Sequence, residues 1–79
     1  MNKQLTEILA DVFGLRANQI VPELTKDAVG SWDSLKQLDL VTTLEKTYAL
    51  SLEIHDIVRM TSVASIVDVL RSKGVDLGD

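Results

Sequence analysis

Apolar residues recur at intervals of three and four along much of this 79-residue chain, and this spacing limits its fold more than any other feature. Such intervals place side chains on one face of an α-helix, whereas β-strands need an alternation of two. The pattern predicts helices over residues 2–13, 34–48 and 63–73, with a short one near 56–60. We therefore expect an all-α fold, a small four-helix bundle of three longer helices and a short third helix.

The stretch between the first two predicted helices, residues 15–33, loses this period and contains Pro22 and Gly30. A loop of this length in a compact domain is usually functional or contains a short helical turn. We expect it to be ordered, because five apolar side chains can attach it to the core. These are Leu15, Ile20, Val21, Leu24 and Val29. With no linker or internal repeat, residues 1–79 are predicted to form one domain.

Composition excludes several classes of function. The chain has no cysteine and one histidine, His55, so disulfides and thiolate metal sites are excluded and no convincing nucleophile and base remain. We expect neither an enzyme nor a metal site. The net charge of -4 and the pI of about 4.7 oppose binding to nucleic acid or anionic membranes and favour partners with basic surfaces.

The cellular location and the oligomeric state are inferred only from the lack of sequence signals for anything else. The N-terminal residues lack the apolar core of a signal peptide, and no window of the sequence approaches the length needed to span a membrane. We therefore expect a cytoplasmic protein, and nothing in the sequence demands more than a monomer.

Ser34 opens the second predicted helix, directly after Asp33, and both are good helix-capping residues. Together with Gln37, Ser34 also matches a capping box, in which two side chains satisfy the free amides at a helix start. A hydroxyl in the first turn is exposed, and a phosphate ester there would lie against free N–H groups and the positive end of the helix dipole. From these residues alone, capping and covalent attachment both remain open.

Residues 32–48 resemble the acyl carrier protein family. In that family Asp-Ser-Leu opens the second helix, followed by an apolar residue, an acidic residue and a leucine, and then by Leu-Glu and an aromatic residue. Here these positions are filled by Asp33, Ser34, Leu35, Leu38, Asp39, Leu40, Leu44, Glu45 and Tyr48. The long first loop, the short third helix and the Thr-Ser-Val entry to the fourth extend the resemblance over nearly the whole chain.

The resemblance implies that Ser34 bears a covalent 4'-phosphopantetheine arm, transferred from coenzyme A by a pantetheinyl transferase, and that Asp33 supports this modification through the transferase's metal ion. The arm would supply the missing thiol, so the protein would carry acyl thioesters to enzymes of fatty-acid, polyketide or related biosynthesis. An aminoacyl or peptidyl cargo is an alternative. A non-covalent helical interaction module, in which Ser34 is only a cap, is the alternative from another class.

Four residues are predicted by the same resemblance to dock partner enzymes: Trp32, Leu35, Asp39 and Glu45. Lys36 and Lys46 offset the two acidic residues, so the second helix has a formal charge of zero. This neutrality, and Trp32 in place of the small residue common in the family, indicate a specialised pathway rather than general fatty-acid synthesis. The alternatives are a merely solvated face for the two acids and a loop aromatic that covers the core for Trp32.

An interior cavity for the acyl chain, between the second and third helices, is also implied by the resemblance. The alternative is a packed core without a cavity. The residues predicted to face this interior are Leu38, Leu44, Ile57, Met60 and Ile66.

Overall fold

The computed structural model describes residues 2–78, so residues 1 and 79 of the predicted domain lie outside the described part. Within it the protein is a small helical bundle, as predicted. The α-helices are α1 (Lys3–Phe13), α2 (Ser34–Tyr48), α3 (Ile54–Arg59) and α4 (Val63–Ser72). Two 3-10 turns, Ala17–Gln19 and Lys26–Ala28, lie in the long loop between α1 and α2. Residues 2–78 contain no strand, and none of their helices combines the length and apolar character needed to cross a bilayer.

Helix α1 has the ends that its sequence predicts. The side chain of Asn2 accepts a hydrogen bond of 2.9 Å from the amide of Leu5, which satisfies one of the free N–H groups of the first turn. At the other end Gly14 adopts a left-handed conformation with φ of 66°, and its N–H donates to the carbonyl of Ala10. Leu5 and Leu9 are fully buried, so the apolar stripe of α1 faces the core.

The loop between α1 and α2 is attached to the start of α4 by its own backbone. The amides of Val63 and Ala64 donate to the carbonyls of Leu24 and Pro22, at 2.9 and 3.1 Å. These loop carbonyls satisfy N–H groups that have no partner inside α4. The loop thereby stabilises a helix that is distant in sequence.

Four of the five apolar residues predicted to hold this loop are buried or partly buried against the core, and the prediction for Val21 is wrong. Val21 is 41% exposed, whereas its neighbour Ile20 is buried. The backbone at Ile20 is extended, with φ of -85° and ψ of 99°. Successive side chains of extended backbone point to opposite sides, so burying Ile20 turns Val21 outward.

Helix α3 begins two residues before the predicted position. Its start is Ile54, because the carboxylate of Asp56 accepts a hydrogen bond of 3.1 Å from the amide of Glu53 and closes the first turn. Asp56 also forms an ion pair with Lys73, the residue that follows α4: the Lys73 ammonium lies 2.8 Å from Asp56 Oδ2. A helix of six residues is unstable by itself, so these side-chain contacts hold it.

Candidate functional site

Ser34 is the first residue of α2 and is exposed. The helix cap is supplied by the residue before it: Asp33 Oδ1 accepts a hydrogen bond of 2.9 Å from the amide of Lys36. Within residues 2–78 the Ser34 hydroxyl has no hydrogen-bond partner. The hydroxyl therefore stands at the positive end of a 15-residue helix with no structural task of its own.

Gln37 does not form the capping box that its spacing from Ser34 allows. Its side chain is buried, with 9% of its surface exposed, and turns into the bundle. Gln37 Oε1 accepts a hydrogen bond of 2.6 Å from Trp32 Nε1. Its Nε2 donates to the carbonyls of Ile57 and Met60, at 3.1 and 3.2 Å. The capping-box alternative is therefore wrong, since Gln37 connects the loop before α2 to α3.

Gln37 is the one residue around this site that sequence reasoning missed. Its burial had one signal in the sequence. Gln37 lies three residues before Leu40 and seven before Leu44, so it shares the apolar side of α2 with them. A polar residue in such a stripe is buried only where hydrogen-bond partners meet it. Its partners are Trp32, five residues before it, and Ile57 and Met60, 20 and 23 residues after it, so the pattern of α2 alone does not reveal them.

Trp32 does not have the exposed position that a docking residue needs. It is 3% exposed, and its ring stacks on Phe13 with centroids 4.4 Å apart and an interplanar angle of 29°. Burial of the indole is possible because Gln37 accepts a hydrogen bond from its N–H. The docking prediction for Trp32 is corrected accordingly: it is a loop aromatic that covers the core.

The other three predicted docking residues lie in different surroundings. Leu35 is 77% exposed, and Asp39 is also exposed. Glu45 is half-buried, and its Oε2 accepts a hydrogen bond of 2.8 Å from the amide of Leu52. The carboxylate of Glu45 thus stabilises the turn after α2, whereas Leu35 and Asp39 have side chains that face solvent.

The residues predicted to line an acyl cavity do not form one set. Leu44, Met60 and Ile66 are fully buried, and Ile57 is half-buried. Leu38 is 60% exposed, so its interior placement was wrong. One residue corresponds to about 100° around a helix, so the burial of Gln37 turns Leu38 outward. Two surface pockets of about 310 and 300 Å³ are lined by other residues than these five.

His55 belongs to a small cluster on α3. Its Nδ1 lies 3.3 Å from Glu53 Oε2 and its Nε2 lies 3.4 Å from Asp56 Oδ1. Three possible metal-ligand atoms thus lie within 4.8 Å of one another. However, the ammonium of Lys73 already neutralises Asp56, and the hydrogen bond from Lys73 holds the pKa of Asp56 below its usual value. Asp56 and Lys73 thus form an ion pair within this cluster.

Comparison with known proteins agrees with this geometry. The family model described as "Phosphopantetheine attachment site" matches residues 3–70. Methylphloroacetophenone synthase of Cladonia uncialis is 36% identical over 70 residues, which is 89% of this chain. The chain spans only 3% of the length of that synthase. Members of the family hold a covalently attached 4'-phosphopantetheine and are non-catalytic carriers. This protein therefore belongs to the phosphopantetheine-attachment family of carrier domains, and the resemblance found in its sequence is confirmed.

Proposed function

We propose that Ser34 is the residue to which the phosphopantetheine arm is attached, and that the protein carries acyl intermediates on this arm. The observation that carries the proposal is the exposed Ser34 hydroxyl, which has no hydrogen-bond partner within residues 2–78 and lies at the start of α2. The Asp33 cap leaves this hydroxyl available because it performs the task that Ser34 would otherwise have.

The surroundings of Ser34 fit a phosphodiester. The N–H groups of the first turn of a helix have no partner further along the helix, and the helix dipole adds a partial positive charge there. The half-exposed Lys36 lies two residues on, in the same turn. When bound, the arm supplies a thiol that can hold an acyl group as a thioester. The Ser34 oxygen forms the bond to phosphorus, its proton passes to the modifying enzyme, and the nucleotide part of coenzyme A leaves.

Asp33 has a second part in this proposal. Its Oδ1 is used in the cap, whereas its Oδ2 makes no hydrogen bond within residues 2–78. An exposed carboxylate oxygen next to the reacting hydroxyl is a suitable ligand for the metal ion of a pantetheinyl transferase. We therefore assign Asp33 a supporting role in the modification.

For the cargo, we favour polyketide-type acyl groups of a specialised pathway over the acyl chains of general fatty-acid synthesis. The name of the Cladonia synthase, which refers to an acylated polyhydroxybenzene, supports this choice. The formal charge of zero on α2 supports it too, because the resemblance associates general fatty-acid carriers with a strongly acidic second helix. An aminoacyl or peptidyl cargo is the second candidate within the same mechanism.

Intact-mass spectrometry tests the attachment. After incubation with coenzyme A and a broad-specificity pantetheinyl transferase, the wild-type protein should gain the mass of one phosphopantetheine. Ser34→Ala should gain none. Ser51→Ala is the matched control, since Ser51 is also exposed but lies in a turn rather than at a helix start, and it should be modified like the wild type.

The control outcomes separate the alternatives. Modification of Ser34→Ala would show that another residue is the attachment site. Absence of modification in the wild type would instead support the non-covalent interaction module. The mass of the protein isolated from its native host would then identify an acyl or aminoacyl cargo.

A further inference from the structure

Helix α3 buries little apolar surface. Among its six residues only the polar Asp56 is buried, and Ile54 and Val58 are 80% and 69% exposed. A helix this short is unstable unless tertiary contacts hold it. Its first turn is closed by Asp56, which also pairs with Lys73. Polar side chains, rather than apolar packing, therefore hold α3 in place.

At its other end, α3 is joined to α2 by the side chain of Gln37. The amide Nε2 donates to the carbonyl of Ile57, in the last turn of α3, and to that of Met60, the residue that ends the helix. The last carbonyls of a helix find no donor further along it, so Gln37 supplies donors that α3 lacks. Within residues 2–78, no other side-chain hydrogen bond joins α2 to α3.

The amide of Gln37 is fixed in orientation by partners on both sides. Both of its Nε2 hydrogens are engaged, and its Oε1 accepts from Trp32 Nε1 at 2.6 Å. The side chain is buried, so little water can replace these partners. Moving α3 away from α2 would break both Nε2 hydrogen bonds without replacing them, which is unfavourable. Gln37 therefore opposes any separation of α2 and α3.

The interior between these helices is already filled. Among the residues expected to receive an acyl chain, Leu44, Met60 and Ile66 are fully buried in one core cluster. The two surface pockets, of about 310 and 300 Å³, are lined by other residues. Closely packed interiors have few voids, so an acyl chain could enter only if α3 moved away from α2. This is the movement that Gln37 opposes.

We propose that Gln37 is a latch between α2 and α3, and that the protein therefore keeps its cargo outside the bundle, where a long acyl chain is as accessible as a short one. This inference rests on the proposed function. It reverses the interior acyl cavity that the family resemblance implies. A polyketide-type chain suits such a carrier, because its carbonyl and hydroxyl groups keep hydrogen bonds to water that an apolar interior would remove.

Cleavage of the thioester by hydroxylamine tests the latch. The pantetheinyl transferase loads the protein from acetyl-coenzyme A or octanoyl-coenzyme A, and intact mass follows the loss of each acyl group. Each rate is divided by that of the same thioester in free coenzyme A. For the wild type, the two normalised rates should agree within about twofold, because neither chain enters the protein. For Gln37→Leu, the octanoyl rate should be roughly fivefold lower than the acetyl rate, because the chain can enter between α2 and α3.

Two further variants complete the test. Gln37→Met keeps nearly the length of glutamine without its hydrogen bonds, so it should protect the octanoyl thioester as Gln37→Leu does, and it serves in place of Gln37→Leu if circular dichroism shows that variant to be poorly folded. Gln4→Leu makes the same exchange on the exposed side of α1 and should behave like the wild type.

Thermal unfolding gives an independent readout. A chain that is bound only by the folded state stabilises it, so the octanoyl group should raise the Tm of the Gln37 variants relative to their acetyl forms. The Tm of the wild type should be the same with either group.

The outcomes separate this inference from the proposed function. A wild-type protein that takes up no acyl-phosphopantetheine would reject the proposed function itself. Loading with protection of the octanoyl thioester in the wild type would reject only the latch, since the chain would then enter despite Gln37. Loading with no protection in the wild type or in either Gln37 variant would also reject the latch, since something other than Gln37 would keep the chain outside.

Discussion

A serine lies at the start of both α2 and α4, and the two hydroxyl groups differ in their hydrogen bonding. Ser62 is the N-cap of α4, and its hydroxyl accepts a hydrogen bond of 3.1 Å from the amide of Ser65. Ser34 lies one position further in, as the first residue of α2, and Asp33 occupies the cap position before it. A shift of one residue therefore separates a serine that stabilises its helix from one that is free to react.

The residue three positions on shows the same contrast. Ser65 turns back, and its Oγ accepts a hydrogen bond of 2.9 Å from the amide of Ser62. Gln37, three residues after Ser34, turns inward to Trp32 instead. At the start of α4 the two serine side chains thus bond only to each other and to neighbouring backbone, whereas Gln37 at the start of α2 connects the loop, α2 and α3. Only the second arrangement leaves a hydroxyl exposed while the surrounding backbone is held in place.

The largest effect on stability is expected from removing the buried hydrogen bonds of the Gln37 side chain. Gln37→Leu keeps much of the side-chain volume but leaves the Trp32 N–H and the carbonyls of Ile57 and Met60 without this partner. The free energy of unfolding should fall by about 1–3 kcal/mol, because buried polar groups lose their hydrogen bonds. Urea unfolding followed by the fluorescence of Trp32, the single tryptophan, measures the change.

Gln4→Leu is the control for this substitution. Gln4 is exposed on α1, so its replacement should alter the free energy of unfolding by less than about 0.5 kcal/mol. If Gln37→Leu proves as stable as the wild type, the buried amide does not support the start of α2 as we describe it.

The two serines themselves give the next prediction. Ser62→Ala removes an N-cap and should lower the free energy of unfolding by about 1 kcal/mol. Ser34→Ala removes a hydroxyl without a hydrogen-bond partner in residues 2–78, and the change should stay within about 0.5 kcal/mol. Thermal unfolding of both variants checks this order. A larger loss for Ser34→Ala than for Ser62→Ala would mean that Ser34, not Asp33, caps α2.

Sequence reasoning located the helix ends better than it located the faces of the helices. The limits of α2 were predicted as they are found, because Asp33 and Ser34 are local capping signals that act within one turn. The orientation of α2 was not predicted, because it depends on Gln37 being buried and Leu38 being exposed. Polarity alone predicts the opposite, with Leu38 buried and Gln37 exposed. The partners that make burial of Gln37 favourable come from the loop before α2 and from α3.

The candidate site divides in the same way. The exposed position of Ser34 at the start of α2 and the cap before it could be predicted, because the information lies in adjacent residues. The burial of Trp32 could not, because it requires Phe13 from α1 on one side of the indole and Gln37 at its N–H. Helix α3 began earlier than its apolar spacing indicated, since its first turn is closed by the carboxylate of Asp56 and not by apolar packing.

A third helix start extends the contrast to pH. At α3 the closing group is the Asp56 carboxylate, whose pKa is held below its usual value first by the Lys73 hydrogen bond and then by the Glu53 amide. A depressed pKa means that the contribution of Asp56 is complete above the ordinary aspartate pKa of about 4 and is lost as pH falls through the lowered value.

Thermal unfolding of Asp56→Asn and the wild type should therefore differ most near neutral pH, and the two melting temperatures should converge as the pH is lowered below about 4. The gap between Ser62→Ala and the wild type should stay constant over the same range, because the cap of α4 consists of two serines and contains no group that titrates there. Convergence for the serine variant, or a constant gap for Asp56→Asn, would contradict the assignment of acid sensitivity to α3.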